Sequence, residues 1–494
     1  MSTMLDALSE VSNITIFFLA TSLLLALFYE MINGFHDTAN AVAMIIYTNS
    51  MKARNSVIMS GIMNFIGVIA GGIGVAYAIV HILPLDVIVS ANQQSTLIMI
   101  YSLLLSAIVW NFGTWYYGIP VSSSHSLIGS LVGVSLMFGV MNGYDLSQSV
   151  NSGVLYKVLI ALALSPLLGF GFAYVFMKMA RAFIRIPKFY KSPQSEKKRK
   201  RPNFWMRISI ILTGAGISFA HGSNDGQKGM GLIMIILIGI MPTFYALDMN
   251  SHQYRIQQVH DSAKNLSRVY EQNRADFDKL VEDKTIKSAL KAQNSIQECD
   301  VYNTYETIAS VATKLDGIKT YKELSSGDRW SVHSAILCSD NFFAQIQKHF
   351  AHEDRGMSEY VGTQRAIMVS ATEYVPIWVI VSVALALGLG TMIGYKRVVL
   401  TVGEKIGSRP INYMQGTVAQ AMSMATILLA NFLHAPVSTT QIVSSSVAGT
   451  MLSQPNSSVQ SKTVKTILLS WLFTLPTTMA LGAGLYYLLS YMFL

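Results

Sequence analysis

The stretch Asn33-Gly34-Phe35-His36-Asp37-Thr38-Ala39-Asn40-Ala41 lies inside an apolar run and returns, loosely, as His221-Gly222-Ser223-Asn224-Asp225-Gly226-Gln227-Lys228-Gly229. Each copy sets an aspartate among glycines and amides where hydrocarbon is expected. An ionisable group there is costly unless it lines a pathway. A second pair follows in the same order: Gly118-Ile119-Pro120-Val121-Ser122-Ser123-Ser124-His125 is echoed by His434-Ala435-Pro436-Val437-Ser438-Thr439-Thr440-Gln441. Two duplicated polar breaks, one set per half, are the pattern expected of a transport protein built from two repeats.

Outward from these motifs the chain is apolar. Of its 494 residues 51% are hydrophobic and only 13% charged, with a mean hydropathy of +0.41. Soluble domains carry about twice that charged share. Runs such as Ile14 to Leu27, Val57 to Val80 and Ile467 to Leu489 approach or exceed the roughly 18 residues that suggest a membrane span. The fold class expected is therefore an all-α polytopic membrane protein. The net charge of +9 sits at the ends of apolar runs, as in Lys197-Lys198-Arg199-Lys200-Arg201. That placement suits cytoplasmic loops that touch anionic lipid, and without a basic–aromatic module it argues against nucleic acid. The residues before Ile14 carry acid and no Lys or Arg, so no cleavable signal peptide is expected. Neither cysteine falls in a span, which excludes thiolate metal chemistry in the membrane.

Spans are expected at 13–49, 57–80, 95–111, 119–140 and 154–177, and then at 208–246, 374–394, 415–432, 436–452 and 464–491. The first is too long for one straight helix, and its Asn33-Gly34 pair predicts two half-helices around an unwound turn. Basic groups follow the first, fifth and seventh spans and precede the tenth. Placing all of them in the cytoplasm gives ten crossings with both termini outside. The second repeat then enters from the side opposite to the first. The expectation is two inverted repeats of about five spans each, with broken or re-entrant helices. The chain divides into repeat one (1–177), a basic cytoplasmic linker (178–207), the start of repeat two (208–248), a polar helical insert outside the cytoplasm (249–365) and the rest of repeat two (366–494). In the insert, Cys299 and Cys338 could pair.

Asp37 and Asp225 occupy matching places in the repeats, so a pseudo-two-fold axis brings both toward the bilayer midplane. A carboxylate there can attract a cation or carry a proton; capping a half-helix is the plainer role. The triplets Ser122, Ser123, Ser124 and Ser438, Thr439, Thr440 each follow a proline break and precede a small-residue helix. Hydroxyls beside orphan amides at a positive helix end make an anion site, whereas one triplet alone would read as hydroxyls bonding back to their own helix. Glu30, a turn before Asn33, is either a proton carrier, since low dielectric penalises its charge, or a structural partner held ionised by Lys228 or bonded to an opposing hydroxyl. His36 could titrate in a useful range, yet a lone histidine is more often a satisfied hydrogen-bonder.

These motifs resemble those of the inorganic phosphate transporter family, whose halves carry Gly-x-Asn-Asp and Pro-Val-Ser-Ser/Thr-Ser/Thr-His signatures. The resemblance spares only the insert and is closest to bacterial low-affinity, proton-coupled phosphate permeases. It implies phosphate as substrate, taken as a complex with a divalent metal or alone, moving with protons across the bacterial inner membrane. With phosphate as substrate, Asn40 and Gln227 are expected to join the two triplets around it, while Asp37, Asp225, Lys228, Glu30 and His36 are the candidates for cation or proton coupling. No bound metal or other cofactor is implied, and a homo-oligomer is left open. Two positions depart from the pattern. Sodium-coupled relatives have an asparagine three residues after each motif aspartate; Asn40 conforms, but Lys228 replaces the second. Gln441 stands where a histidine is usual, leaving His125 as the histidine of that motif pair. Sodium coupling and a passive oxyanion channel are the alternatives. An intramembrane hydrolase built on Ser124 and His125 lacks a Gly-x-Ser-x-Gly elbow and has no use for a duplicated serine cluster. No nucleotide-binding loop points to ATP drive.

Overall fold

The computed structural model describes residues 12–83, 93–119, 121–145, 149–193, 202–274, 277, 304–393, 411–454 and 459–494, without the side chains of residues 39, 40, 352 and 353. Pro120, the Lys197–Arg201 cluster and Cys299 lie outside the described residues. Cys338 is disulfide-bonded.

The membrane part runs through α1 (Asn13–Tyr47), α2 (Ala53–Ala70), α3 (Gly74–Val80), α4 (Gln93–Tyr116), α5 (Ser123–Asn142), α6 (Ser152–Phe183) and α7 (Phe204–Ile240). The insert contributes α8 (Gln253–Gln272), α9 (Thr304–Leu315), α10 (Ser326–Glu353) and α11 (Arg355–Val369). The chain then re-enters the apolar body as α12 (Ile377–Ile393), α13 (Tyr413–Phe432), α14 (Thr439–Leu452) and α15 (Ser461–Phe493). Among the described residues, α1, α2, α4, α5, α6 and α15 are long and apolar enough to cross a membrane. Their outer faces stay apolar and uncovered, as at Phe17, Leu167, Leu472 and Tyr491.

One expectation is corrected. α1 is a continuous helix through Asn33-Gly34, not two half-helices. Gly34 is used for close approach: a Cβ there would lie 2.6 Å from the Leu387 carbonyl oxygen of α12. The polar residues nearby bond across helices instead of unwinding, with Thr38 Oγ1 donating to Gly34 O at 2.6 Å and Thr391 O at 2.8 Å. The break falls in the second expected span. There Gly72, at φ +80°, separates α2 from α3 in a left-handed conformation that favours glycine.

Helix pairing repeats when the halves are exchanged. α7 packs on α2 as α1 packs on α12; α15 packs on α5 as α6 packs on α14; α7 meets α13 as α1 meets α4. α1 and α7 also pack on each other, and this central pair sets the site.

The insert has its own core, including Ile256, Leu266, Tyr270, Val311, Phe343 and Val361. It is tied to the segment after α7 by His333 Nδ1, 2.6 Å from Ala246 O, and by Arg329, which donates to Thr243 O at 3.4 Å. Tyr77 of α3 donates to Tyr374 O at 2.7 Å just before α12.

Candidate functional site

α5 and α14 start with the same cap. Ser122 Oγ accepts from His125 N at 3.2 Å, and Ser438 Oγ accepts from Gln441 N at 3.3 Å. The serine at each cap satisfies one orphan amide, and the first-turn amides beside it keep the positive end of the helix. Pro436 stands two residues ahead of the Ser438 cap, outside α14, so it directs the chain into the helix rather than forming its first turn. Ser124 Oγ donates to Val437 O at 2.9 Å, which brings the two helix starts together.

Lys228 of α7 stands at that junction. Its ammonium donates to Ser124 Oγ and to Val437 O, each at 2.6 Å, and forms an ion pair with Asp225. Both side chains are buried. Asp225 Oδ2 lies 3.3 Å from Thr439 Oγ1, whose other neighbour is Asp37 Oδ2 at 3.1 Å. Thr440 Oγ1 donates to Asp37 Oδ1 at 2.6 Å. The aspartates of the two halves therefore meet at the first turn of α14.

His221 completes the bridge. Its Nε2 is 3.0 Å from Asp37 Oδ2 and 3.2 Å from Asp225 Oδ2, and its Nδ1 is 2.8 Å from Asn64 Oδ1 on α2. The carboxylates and the imidazole gather potential ligand atoms within 4.8 Å of one another, but hydrogen bonds between ring and carboxylates already close the trio on itself. Sequence reasoning quoted His221 within its motif and gave it no role. Its spacing of four residues from Asp225 was the available signal, since i and i+4 share a helix face.

The other candidates sit as follows. Glu30 is fully buried against Gly229, where a Cβ would lie 2.5 Å from the Glu30 carboxyl carbon. Its Oε2 accepts from Asn33 at 3.4 Å, and its Oε1 has no hydrogen-bond partner among the described residues. His36 turns away from the aspartates, with Nε2 2.7 Å from Asn111 O on α4. Gln227 spans the α2–α3 break: Nε2 donates to Gly71 O and Oε1 accepts from Val75 N, both at 2.8 Å. Ser123 presents its carbonyl to Tyr29 Oη at 3.0 Å. Asn40 lies in α1, but its side chain is outside the described residues.

Buried charges of both signs thus meet two positive helix ends where the halves touch. Such a place can receive a small anion if the carboxylates stay neutralised.

Comparison with known proteins agrees in kind. The family described as "Phosphate transporter family" matches residues 33–482. The chain is 40% identical over 483 residues to the low-affinity inorganic phosphate transporter PitB of Escherichia coli K12, covering 95% of this chain and 96% of that one. It is 27% identical over 469 residues to a probable low-affinity inorganic phosphate transporter of Bacillus subtilis, covering 95% and 96%. A solved structure of a sodium-dependent phosphate transporter shares the fold at a TM-score of 0.53 and 19% identity, over 96% of this chain and 99% of that one.

Proposed function

The chain belongs to the phosphate transporter family, and we propose on that premise that it is a symporter importing inorganic phosphate with protons across the bacterial inner membrane. It is a transporter and not an enzyme. Phosphate, free or complexed with a divalent metal, binds between the first turns of α5 and α14. Ser122 to Ser124 and Ser438 to Thr440 offer hydroxyls and amides there, and Lys228 offers a charge. The observation that carries this reading is the convergence of both helix starts on Lys228 and the Asp37–His221–Asp225 bridge.

The two halves are inverted repeats that rock against each other. The recurrence of helix pairs on exchanging the halves supports the repeat, and α14, which at 14 residues is about 21 Å long and too short to cross alone, supports re-entrant helices. The insert lies outside the cytoplasm. Two carboxylates beside phosphate repel it strongly in a low dielectric, so anion and compensating charge must bind together. Lys228 supplies a fixed positive charge where sodium-coupled relatives carry an asparagine, and its ion pair with Asp225 supports proton over sodium coupling.

The test is labelled-phosphate uptake into proteoliposomes with pH, sodium and divalent-metal gradients imposed independently. Uptake that follows the pH gradient and ignores sodium is expected. Sodium-driven uptake would replace this reading with sodium symport, and no response to either gradient would favour a passive oxyanion channel.

A further inference from the structure

The bonds around His221 determine where its protons are. Thr391 Oγ1 donates to Leu387 O at 2.8 Å, so its one hydrogen is committed. It therefore accepts from Asn64 Nδ2, also at 2.8 Å. That orients the amide and turns Asn64 Oδ1 toward His221 Nδ1 at 2.8 Å. A carbonyl oxygen only accepts, so Nδ1 carries a hydrogen. A neutral ring would then aim a lone pair from Nε2 at Asp37 Oδ2 and Asp225 Oδ2, 3.0 and 3.2 Å away. Ionised carboxylates also only accept. Three acceptors cannot converge in a buried site unless one more proton lies among them.

We propose that His221, held in one tautomer by the Leu387–Thr391–Asn64 chain, carries the coupled proton between Asp37 and Asp225. The proposal rests on the proton-symport reading and names its carrier. With the proton bound, the negative charges of Asp37 and Asp225 are balanced by His221 and Lys228, and an anion meets a neutral surface. Without it, the cluster holds one uncompensated negative charge and repels phosphate. Loading forms an Nε2–H bond with a proton from the outer side; unloading returns that proton to water on the inner side. Other carboxyl, imidazole, ammonium or guanidinium groups on the elements packed round His221 are Glu30 and His36 on α1, with Arg54 and Arg207 at the distant starts of α2 and α7. α3, α4, α12, α13 and α14 carry no such group. His36 is placed differently, with its ring bonded to the Asn111 carbonyl on α4.

The experiment is uptake of labelled inorganic phosphate by the full chain in proteoliposomes, for the wild type, H221Q, N64L and N64D. H221Q keeps the uncompensated negative charge and is expected to take up little phosphate, with no gain from an imposed pH gradient. The wild type is expected to accumulate it at least tenfold more with the gradient. N64L removes the acceptor that holds Nδ1–H and is expected to move the midpoint of the external-pH profile about one unit acid, whereas N64D moves it alkaline. A gradient response in H221Q equal to that of the wild type overturns the proposal. If H221Q does not fold, identical midpoints in wild type, N64L and N64D overturn it alone. A wild type indifferent to the pH gradient overturns both this proposal and proton symport, so the two failures are distinguishable.

Discussion

Replacing Lys228 with methionine probes the ion pair that joins the halves. Lys228 is 2% exposed and Asp225 0%, so removing the ammonium leaves a carboxylate that water cannot reach. Three donated bonds vanish at once, to Asp225, Ser124 and Val437. Breaking a buried pair from one side costs about 3–5 kcal/mol, mostly from the stranded partner. For a chain of 494 residues that corresponds to a melting point lowered by roughly 3–5 °C. The cost lies in the stranded Asp225 charge, so D225N added to K228M should restore about half of the loss or more, although uptake stays abolished. Thermal unfolding of both variants in detergent, beside D225N alone, completes the cycle. K228M melting with the wild type, or a double variant no more stable than K228M, would refute the argument.

Other outcomes follow from the same contacts. G67A should destabilise by about 1–3 kcal/mol or more, because its Cβ would fall 2.2 Å from the Phe219 carbonyl oxygen. G171A, whose Cβ meets nothing within 4 Å, should not, and comparing their melting points checks this. T440V deletes the 2.6 Å bond to Asp37. Bonds to charged groups are worth about 1.5–3 kcal/mol, so T440V should unfold at a lower temperature than the wild type in detergent. In the insert, burial lowers the His333 pKa from 6.5 to about 4. The unfolded chain therefore binds that proton first, and stability should fall as pH drops from 6.5 toward 4. H333Q should flatten that window in melting curves recorded against pH.

The helices and the motif pairs were legible in the sequence because hydrophobic runs and repeated polar breaks need no tertiary context. The serine and threonine triplets read as helix starts, and Ser122 and Ser438 are caps. What the sequence hid was the use of each small or polar residue across helices. Gly34 read as a break, yet it admits the α12 backbone, while the true interruption at Gly72 carries no polar signal. His36 drew notice as the neighbour of Asp37, but adjacent residues on a helix face different ways. His221 reaches Asp37 only because α1 and α7 pack together, a contact that no local pattern announces.

Transport by this route requires an oxyanion to be held where the starts of α5 and α14 meet Lys228. A crystal structure with arsenate, located by its anomalous signal, tests it most directly. One site bounded by Ser122–Ser124, Ser438–Thr440 and Lys228 is expected. Arsenate bound elsewhere in the membrane body, with those hydroxyls untouched, would contradict it.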